Sequence, residues 1–271
     1  MSYDLGQAVL SRLLPDVLDL AKQTGKTILE TAEQTVEIQE KSDFTPVTNA
    51  DLAASKLIED RLTSMPGNFP VLSEESEGID YQTRKNWPCY WLVDPLDGTK
   101  EFIEQSGEYS INIALIYQHI PVLGVIYAPV QGELYYAIQG GGAHKVEGLG
   151  TPELLTVCKQ KRDPLIVACG NSQPGKSYEE MMKNIGEICF LALGSSLKSC
   201  LVAEGKADLY ARLGPTSEWD TAAAQCIVEE AGGLLTDVNL QPLRYNTKES
   251  LLNPHFLVFG DKSVNWSEYL T

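Results

Sequence analysis

Two aspartates stand three residues apart in the segment Trp91-Leu92-Val93-Asp94-Pro95-Leu96-Asp97-Gly98-Thr99-Lys100-Glu101-Phe102, at the end of an apolar run. Pro95 and Gly98 predict a tight turn between strand and helix. Such a turn places the carboxylates of Asp94 and Asp97 and the Leu96 carbonyl on one concave side. The amides of Gly98 and Thr99 open a short helix toward the same space. Oxygens of this kind hold hard cations, and free N–H groups at a helix start hold a phosphate. Two further acids could complete the cluster: Glu74, after the apolar segment 69–72, and Asp220, which opens a helix after Glu218-Trp219. Taken singly, each also reads as a cap, a turn residue or a solvated acid. By themselves Thr99 reads as an N-cap and Asp51 as a first-turn acid favoured by the helix dipole.

The other metal-binding residue types are poorly placed. His119, His144 and His255 are scattered, and the six cysteines (Cys89, Cys158, Cys169, Cys189, Cys200 and Cys226) form no C-x-x-C pair and no zinc-ligand spacing. A metal here would therefore be held by oxygen, which favours magnesium or manganese over zinc. The thiols read as free and buried.

Elements that could position these acids follow from periodicity. Leu5 to Leu14 has helical spacing, and the pattern resumes with Val17 to Leu29 after Pro15, which suits a kink or the first turn of a new helix. Val36 and Ile38 alternate as in a strand. Pro46-Val47-Thr48-Asn49 leads into a helix with Asp51 in its first turn. Apolar segments at 69–72 and 90–93 deliver Glu74 and Asp94. From Tyr109 to Ile138 three strand-like runs and their turns predict an antiparallel meander, closed by Gly140-Gly141-Gly142. After a polar stretch at 159–164, strands and helices alternate to the end. The lobes are accordingly expected at 1–160, carrying the acidic motifs and the meander, and at 161–271, an α/β lobe, together forming one catalytic unit.

Composition narrows the function. With 271 residues, 43% of them hydrophobic, the chain can bury a large core, and no low-complexity tract intervenes. A net charge of −16 with only 21 Lys plus Arg excludes a nucleic-acid polymer as partner. The start, Met1-Ser2-Tyr3-Asp4, lacks a leader pattern, and no apolar run is long enough to span a membrane. A reducing, cytoplasmic setting is expected, with peripheral attachment to the inner face of a membrane left open. Nothing in the sequence sets the oligomeric state.

Three ordered motifs carry a resemblance: Ser73-Glu74-Glu75-Ser76, the Asp94-Pro95-Leu96-Asp97-Gly98-Thr99 segment, and Trp219-Asp220 followed by a small-residue helix ending in Gly232-Gly233. Together they resemble the inositol monophosphatase superfamily, over roughly residues 15–260. Within it, residues 97–102, Gly194-Ser195-Ser196-Leu197-Lys198 and Arg212-Leu213-Gly214-Pro215-Thr216 are similar to the CysQ-type 3'(2'),5'-bisphosphate nucleotidases. Inositol phosphatases typically carry Asn-Phe where this chain has Glu101-Phe102.

The resemblance implies an α/β fold (α+β layered), an αβαβα sandwich of two packed lobes. It implies two or three Mg2+ ions, replaceable by Mn2+, held by Glu74, Asp94, the Leu96 carbonyl, Asp97 and Asp220. By it, Asp51, Glu74 and Thr99 are the catalytic groups. Thr99 and Asp51 handle the proton of an attacking water, which the metals activate. The substrate would touch Glu74, Leu96, Asp97, Gly98, Thr99 and Asp220, with Gly194, Ser195 and Ser196 at its nucleoside end. Lys198 and Arg212 would face the phosphate that is not cleaved.

The implied reaction is hydrolysis of adenosine 3',5'-bisphosphate to AMP and phosphate, extending to 3'-phosphoadenylyl sulfate and so to sulfur metabolism, with inhibition by lithium. The alternatives are an inositol or sugar phosphatase and a nucleotide sensor without turnover. An aspartyl-phosphate mechanism of the haloacid dehalogenase type is disfavoured, because Pro95 stands where the nucleophilic aspartate would be.

Overall fold

A computed structural model describes residues 5–40, 45–76, 78–170 and 175–270; Met1 to Asp4, which bear on the leader expectation, lie outside the described residues. Leu10, Leu13, Val17, Leu20, Ala21 and Ile28 are buried along one side of a single helix, α1 (Gln7–Ala32). Pro15 neither breaks it nor starts a new one. Pro15 and Ser11 lie on the exposed side, so the carbonyl left without an N–H partner faces water. The long apolar stripe outweighs the ~3 kcal/mol that an interior proline costs.

A short ribbon of β1 (Ile38–Glu40) and β2 (Pro46–Thr48) leads into α2 (Asn49–Ser64). Next come β3 (Val71–Ser73), α3 (Tyr81–Arg84), β4 (Cys89–Asp97) and α4 (Thr99–Ile103). The meander follows as β5 (Ser110–Tyr117), β6 (Ile120–Ala128), β7 (Glu133–Ile138), β8 (Ala143–Glu147) and β9 (Glu153–Leu154). The glycine run therefore does not close the meander. It makes the β7–β8 turn, where Gly140 and Gly142 take φ of 74° and 75°, and pairing continues beyond it. The remaining elements are β10 (Leu165–Cys169), α5 (Lys176–Ile185), β11 (Ile188–Ala192), α6 (Leu197–Ala203), β12 (Leu209–Arg212), α7 (Ala222–Glu230), β13 (Leu234–Asp237) and β14 (Phe256–Phe259). Short 3-10 turns occupy Glu218–Asp220 and Trp266–Leu270.

Among the described residues, β3 to β9 form one sheet in sequence order, and the order β11-β10-β12-β14-β13 forms a second. Strand β4 explains the layering. Trp91 and Val93 pack into the core shared with α1 and α2, whereas Tyr90 and Leu92 face the opposite core, which contains α6 and α7. A strand buried on both faces must read as a continuous apolar run, as this one does. A third core, with Met181, Leu209, Leu257 and Trp266, places α5 on the far face of the second sheet. The result is the expected αβαβα arrangement, in which α6 and α7 lie between the sheets.

Small residues set the closeness of that middle layer. A Cβ on Gly124 of β6 would lie 2.4 Å from the Ala223 carbonyl oxygen of α7. That approach presses the start of α7, and with it Asp220, against the sheet that ends in Asp94.

Candidate active site

The segment around Asp94 is not the tight turn expected. Pairing of β4 with β5 holds from Cys89 to Asp94, shifts register, and resumes at Asp97 opposite Ser110. Pro95 and Leu96 form this irregularity, the position in a sheet where a residue without an N–H is tolerated. The bulge turns Asp94 and Asp97 while leaving both tied to the sheet. Gly98 then takes φ of 100°, a left-handed conformation that a side chain disfavours, and α4 begins.

Three carboxylates from separate regions converge at this strand end: oxygens of Glu74, Asp94 and Asp220 all lie within 4.8 Å of one another. The Glu74 amide donates to the Val93 carbonyl (3.1 Å), which fixes its loop beside β4. The Leu96 amide donates to Asp94 Oδ1 (3.0 Å), and the Ser217 amide to Asp220 Oδ2 (2.8 Å). Burial, together with the charges of Glu74, Asp97 and Asp220, holds the Asp94 carboxyl well above the usual carboxylate range. Burial and Asp97 push Asp220 the same way. Acids crowded this closely around the buried Asp94 cannot all ionise without a compensating cation. An all-oxygen donor set fits a hard divalent ion such as magnesium.

Asp97 lies beside this trio but is also tied to the segment that leads into α6. Its Oδ2 accepts the Ser196 amide (2.6 Å) and the Asn112 side-chain amide (3.2 Å), and lies 2.6 Å from Ser196 Oγ. Ser196 Oγ is also 2.8 Å from the Asp220 carbonyl oxygen. Its single proton serves one of these acceptors at a time. Asn112, 1% exposed within the apolar β5, was not foreseen as a site residue. The available signal was an amide where the strand pattern calls for a core residue.

Asp51 and Thr99 meet across the site. Thr48 caps α2, and its amide and hydroxyl both donate to Asp51 Oδ2 (2.7 and 2.5 Å). Thr99 Oγ1 lies 3.0 Å from Asp51 Oδ1 and 3.4 Å from the Leu96 carbonyl oxygen, so its proton goes to Asp51. Thr99 is the first helical residue of α4 and not its cap, which is Gly98. The Thr99 lone pairs are thus left to accept from a third group. Asp51 and Asp220 both belong to capping boxes, so the structural and chemical readings of these acids hold together.

A cavity of about 310 Å3 opens beside the acids, walled by Asp97, Gly98, the Gly194–Ser196 loop, Lys198, Arg212 and Asp220. Ser195 has φ of 50°, and a Cβ on Gly194 would lie 2.5 Å from the Glu108 carbonyl oxygen, so the loop is held tightly. Helix α6 starts after Ser196, so these three residues precede it and do not begin it. Lys198 is not a surface cation. It is buried, and its Nζ donates to the carbonyls of Ser195 (2.6 Å) and Leu193 (3.3 Å), bracing that loop. Burial lowers its pKa, against the pull of Asp97 and Glu101. Arg212 donates to the Pro215 carbonyl (3.2 Å), and its buried Nε has no hydrogen-bond partner.

Polar contacts to its neighbours Glu218 and Thr221 hold Asp220 in place. Asn253 Nδ2 donates to Thr221 Oγ1 (3.0 Å), and the Glu218 amide to the Leu251 carbonyl (2.8 Å). The Asn246 amide donates to Glu218 Oε2 (2.7 Å). Arg84, just before β4, is 2% exposed and donates to Asn246 Oδ1 (2.6 Å) and the Lys248 carbonyl (3.2 Å). One guanidinium thereby ties the loop behind Asp220 to α3, the short helix that precedes the strand carrying Asp94.

Comparison with known proteins agrees with this architecture. The pattern of the "Inositol monophosphatase family" matches residues 11–262. The chain is 42% identical to "3'(2'),5'-bisphosphate nucleotidase CysQ" of Haemophilus influenzae over 256 residues, 94% of this chain and 95% of that protein. Against the protein of the same description from Escherichia coli (strain K12) it is 44% identical, covering 91% of this chain and 99% of that one. The crystal structure of CysQ from Bacteroides thetaiotaomicron, described as a bacterial member of the inositol monophosphatase family, superposes with a TM-score of 0.82 at 39% identity, covering 95% and 99% of the two chains.

Proposed function

This chain belongs to the inositol monophosphatase family, and we propose that it is a 3'(2'),5'-bisphosphate nucleotidase, hydrolysing the 3'-phosphate of adenosine 3',5'-bisphosphate to give AMP and phosphate. One observation carries the chemistry: the buried Asp94 and the half-buried Glu74 and Asp220, far apart in the chain, converge beside a cavity that also holds Lys198 and Arg212. A phosphate dianion would be repelled by the acids alone, so the arrangement needs divalent cations between them.

Glu74, Asp94, Asp97, Asp220 and the Leu96 carbonyl would hold two or three Mg2+ ions, with Mn2+ able to substitute. Bound there, the ions supply positive charge that acidifies the attacking water and stabilises the leaving oxygen. The protein's own groups handle the proton. Thr99 Oγ1, its proton directed to Asp51 Oδ1, accepts a hydrogen bond from the water and orients it. Asp51, fixed from behind by Thr48, takes up the proton through Thr99. Ser196 and Asn112 keep Asp97 from swinging away. Gly98 and the Gly194–Ser196 loop flank the sugar, and Arg212, with Lys198 behind it, attracts the phosphate that stays.

Several finer readings belong to the same proposal. Extension to 3'-phosphoadenylyl sulfate rests on its identical 3'-phosphate, and lithium is expected to inhibit by competing for a magnesium position. A cytoplasmic setting suits six unpaired cysteines. No described helix is long and apolar enough to cross a membrane. The lobes 1–160 and 161–271 act as one catalytic unit, since α7 of the second packs on β5 and β6 of the first.

The test is phosphate release from adenosine 3',5'-bisphosphate, inositol 1-phosphate and fructose bisphosphate, with and without magnesium. Magnesium-dependent release is expected to be fastest from the nucleotide and absent in Asp94→Asn. Faster release from inositol 1-phosphate, or tight nucleotide binding without release, would overturn the assignment.

A further inference from the structure

Of the motif Ser73-Glu74-Glu75-Ser76, only Glu74 has a part in the site described above. The two serines point to a residue outside that site. Asp51, Ser55 and Glu59 follow one another at four-residue intervals in α2, so they share one face of the helix. That face meets the end of β3 and the turn after it. Its first residue is the acid that receives the Thr99 proton, and its last, Glu59, reaches the turn that carries Glu74. Resting on the metal-dependent reading above, we propose that Glu59 is a positioning residue for Glu74, its carboxylate anchoring the turn from which Glu74 reaches the metal.

The anchor is a closed set of hydrogen bonds. Ser76 Oγ donates to Glu59 Oε1 (3.2 Å) and in turn accepts the Ser73 amide (3.1 Å). Ser55 Oγ donates to the same Glu59 oxygen (3.2 Å). With the Ser55 proton directed there, the Ser73 hydroxyl, 3.4 Å from Ser55 Oγ, donates to it, and Ser73 Oγ accepts the Glu75 amide (3.4 Å). The Ser76 amide closes the turn on the Ser73 carbonyl (3.0 Å). Both chains of protons therefore end on one carboxylate oxygen, and a charged acceptor holds hydroxyls more strongly than a neutral one. Ser73 is 2% and Ser55 6% exposed, so water cannot take over these bonds. On its other flank the turn is held by the Glu74 amide, which donates to the Val93 carbonyl (3.1 Å) of β4. Asp51 and Glu59 stand about 12 Å apart along one rigid helix, so α2 sets the spacing between the proton acceptor and a metal ligand. Glu59 is not one of the three clustered acids, and it acts on the metal through Glu74.

The test is direct magnesium titration by calorimetry on the metal-stripped wild type, Glu59→Leu, Glu59→Gln and Ser76→Ala, with thermal melts in chelator and kcat at saturating magnesium alongside. Leucine removes the acceptor, whereas glutamine removes the charge and keeps an oxygen in its place. Glu59→Leu should bind magnesium roughly 10- to 100-fold more weakly, the range for disturbing the groups behind a metal ligand, and Ser76→Ala several-fold more weakly. Glu59→Gln, still an acceptor, should stay within about threefold of the wild type. In Glu59→Leu, kcat at saturating magnesium should fall far less than the affinity does. A role confined to stability would lower the melting temperature in chelator and leave the affinity unchanged. Magnesium affinity within twofold of the wild type in both Glu59→Leu and Ser76→Ala would overturn the proposal. So would an equal loss in Glu59→Gln and Glu59→Leu, which would assign the effect to charge alone. Should Glu59→Leu not fold, Ser76→Ala decides by itself. Either refutation leaves the nucleotidase reading intact, whereas a wild type that takes up no magnesium would sink both.

Discussion

Replacing Asp94 with asparagine should make the metal-stripped protein more stable while abolishing phosphate release. The Asp94 carboxyl is 1% exposed, and burial together with three facing carboxylates raises its pKa well above the 3.8 of an unstrained aspartate. In the absence of divalent ions the folded chain keeps this proton as pH rises, whereas the unfolded chain loses it near pH 4. The native state then binds more protons than the unfolded one, so stability falls with increasing pH, by about 1.4 kcal/mol per unit for as long as Asp94 stays protonated. The Tm of the metal-stripped protein should therefore fall as pH rises above the unfolded-state value. Asp220 is displaced in the same direction and adds to the slope. Asparagine cannot ionise, and its carbonyl can still accept the Leu96 amide, so the variant should lose Asp94's share of the slope without losing the local bond. Magnesium binds only the folded form and should add about 2.7 kcal/mol to the wild type at a hundred times its Kd, and much less to the variant. Thermal melts at pH 5, 6 and 7, in chelator and in magnesium, measure all of this. A metal-stripped wild type whose Tm stays level or climbs from pH 5 to 7, or a variant that keeps the full magnesium response, would refute the crowded-acid argument.

Thr99→Val should lower kcat roughly a hundredfold to ten-thousandfold, the range of general-base assistance, with little change in the magnesium concentration needed; steady-state kinetics with a metal titration separates the two effects. Ser196→Ala removes the hydroxyl between Asp97 and the Asp220 carbonyl, and a 10- to 100-fold weakening of metal affinity is expected in a direct magnesium titration. Arg84→Met leaves Asn246 Oδ1 and the Lys248 carbonyl without their donor, which should cost about 2–4 kcal/mol in denaturant unfolding and raise the magnesium requirement by loosening the loop behind Asp220.

The sequence by itself determined the local pieces. Residues 90–93 read as an apolar strand, as a segment between two cores must, although the strand runs on through Asp97. Thr48 followed by Asp51 had to begin a helix, because their side chains close a capping box within one turn. The all-oxygen character of the acidic motifs was equally plain, because it depends on residue type alone. Even here local reading erred where distant packing intervened: Pro15 sits inside α1 because the helix has an apolar stripe to bury, and Pro95 makes a bulge because β5 continues to pair beyond it.

Only the tertiary structure decided which groups meet. Spacing along a chain carries no distance between strands, so the approach of Glu74, Asp94 and Asp220 to within 4.8 Å was readable from the sequence only through resemblance to relatives. Residues with ordinary local patterns gained their roles in the same way. Asn112 reads as a flaw in a strand until it reaches Asp97, and Lys198 reads as a free cation until its Nζ closes on the Ser195 carbonyl. Charge, hydrogen-bonding capacity and backbone preference are properties of single residues. A binding site is a property of the distances between them, and the burial of apolar surface by the whole chain sets those distances.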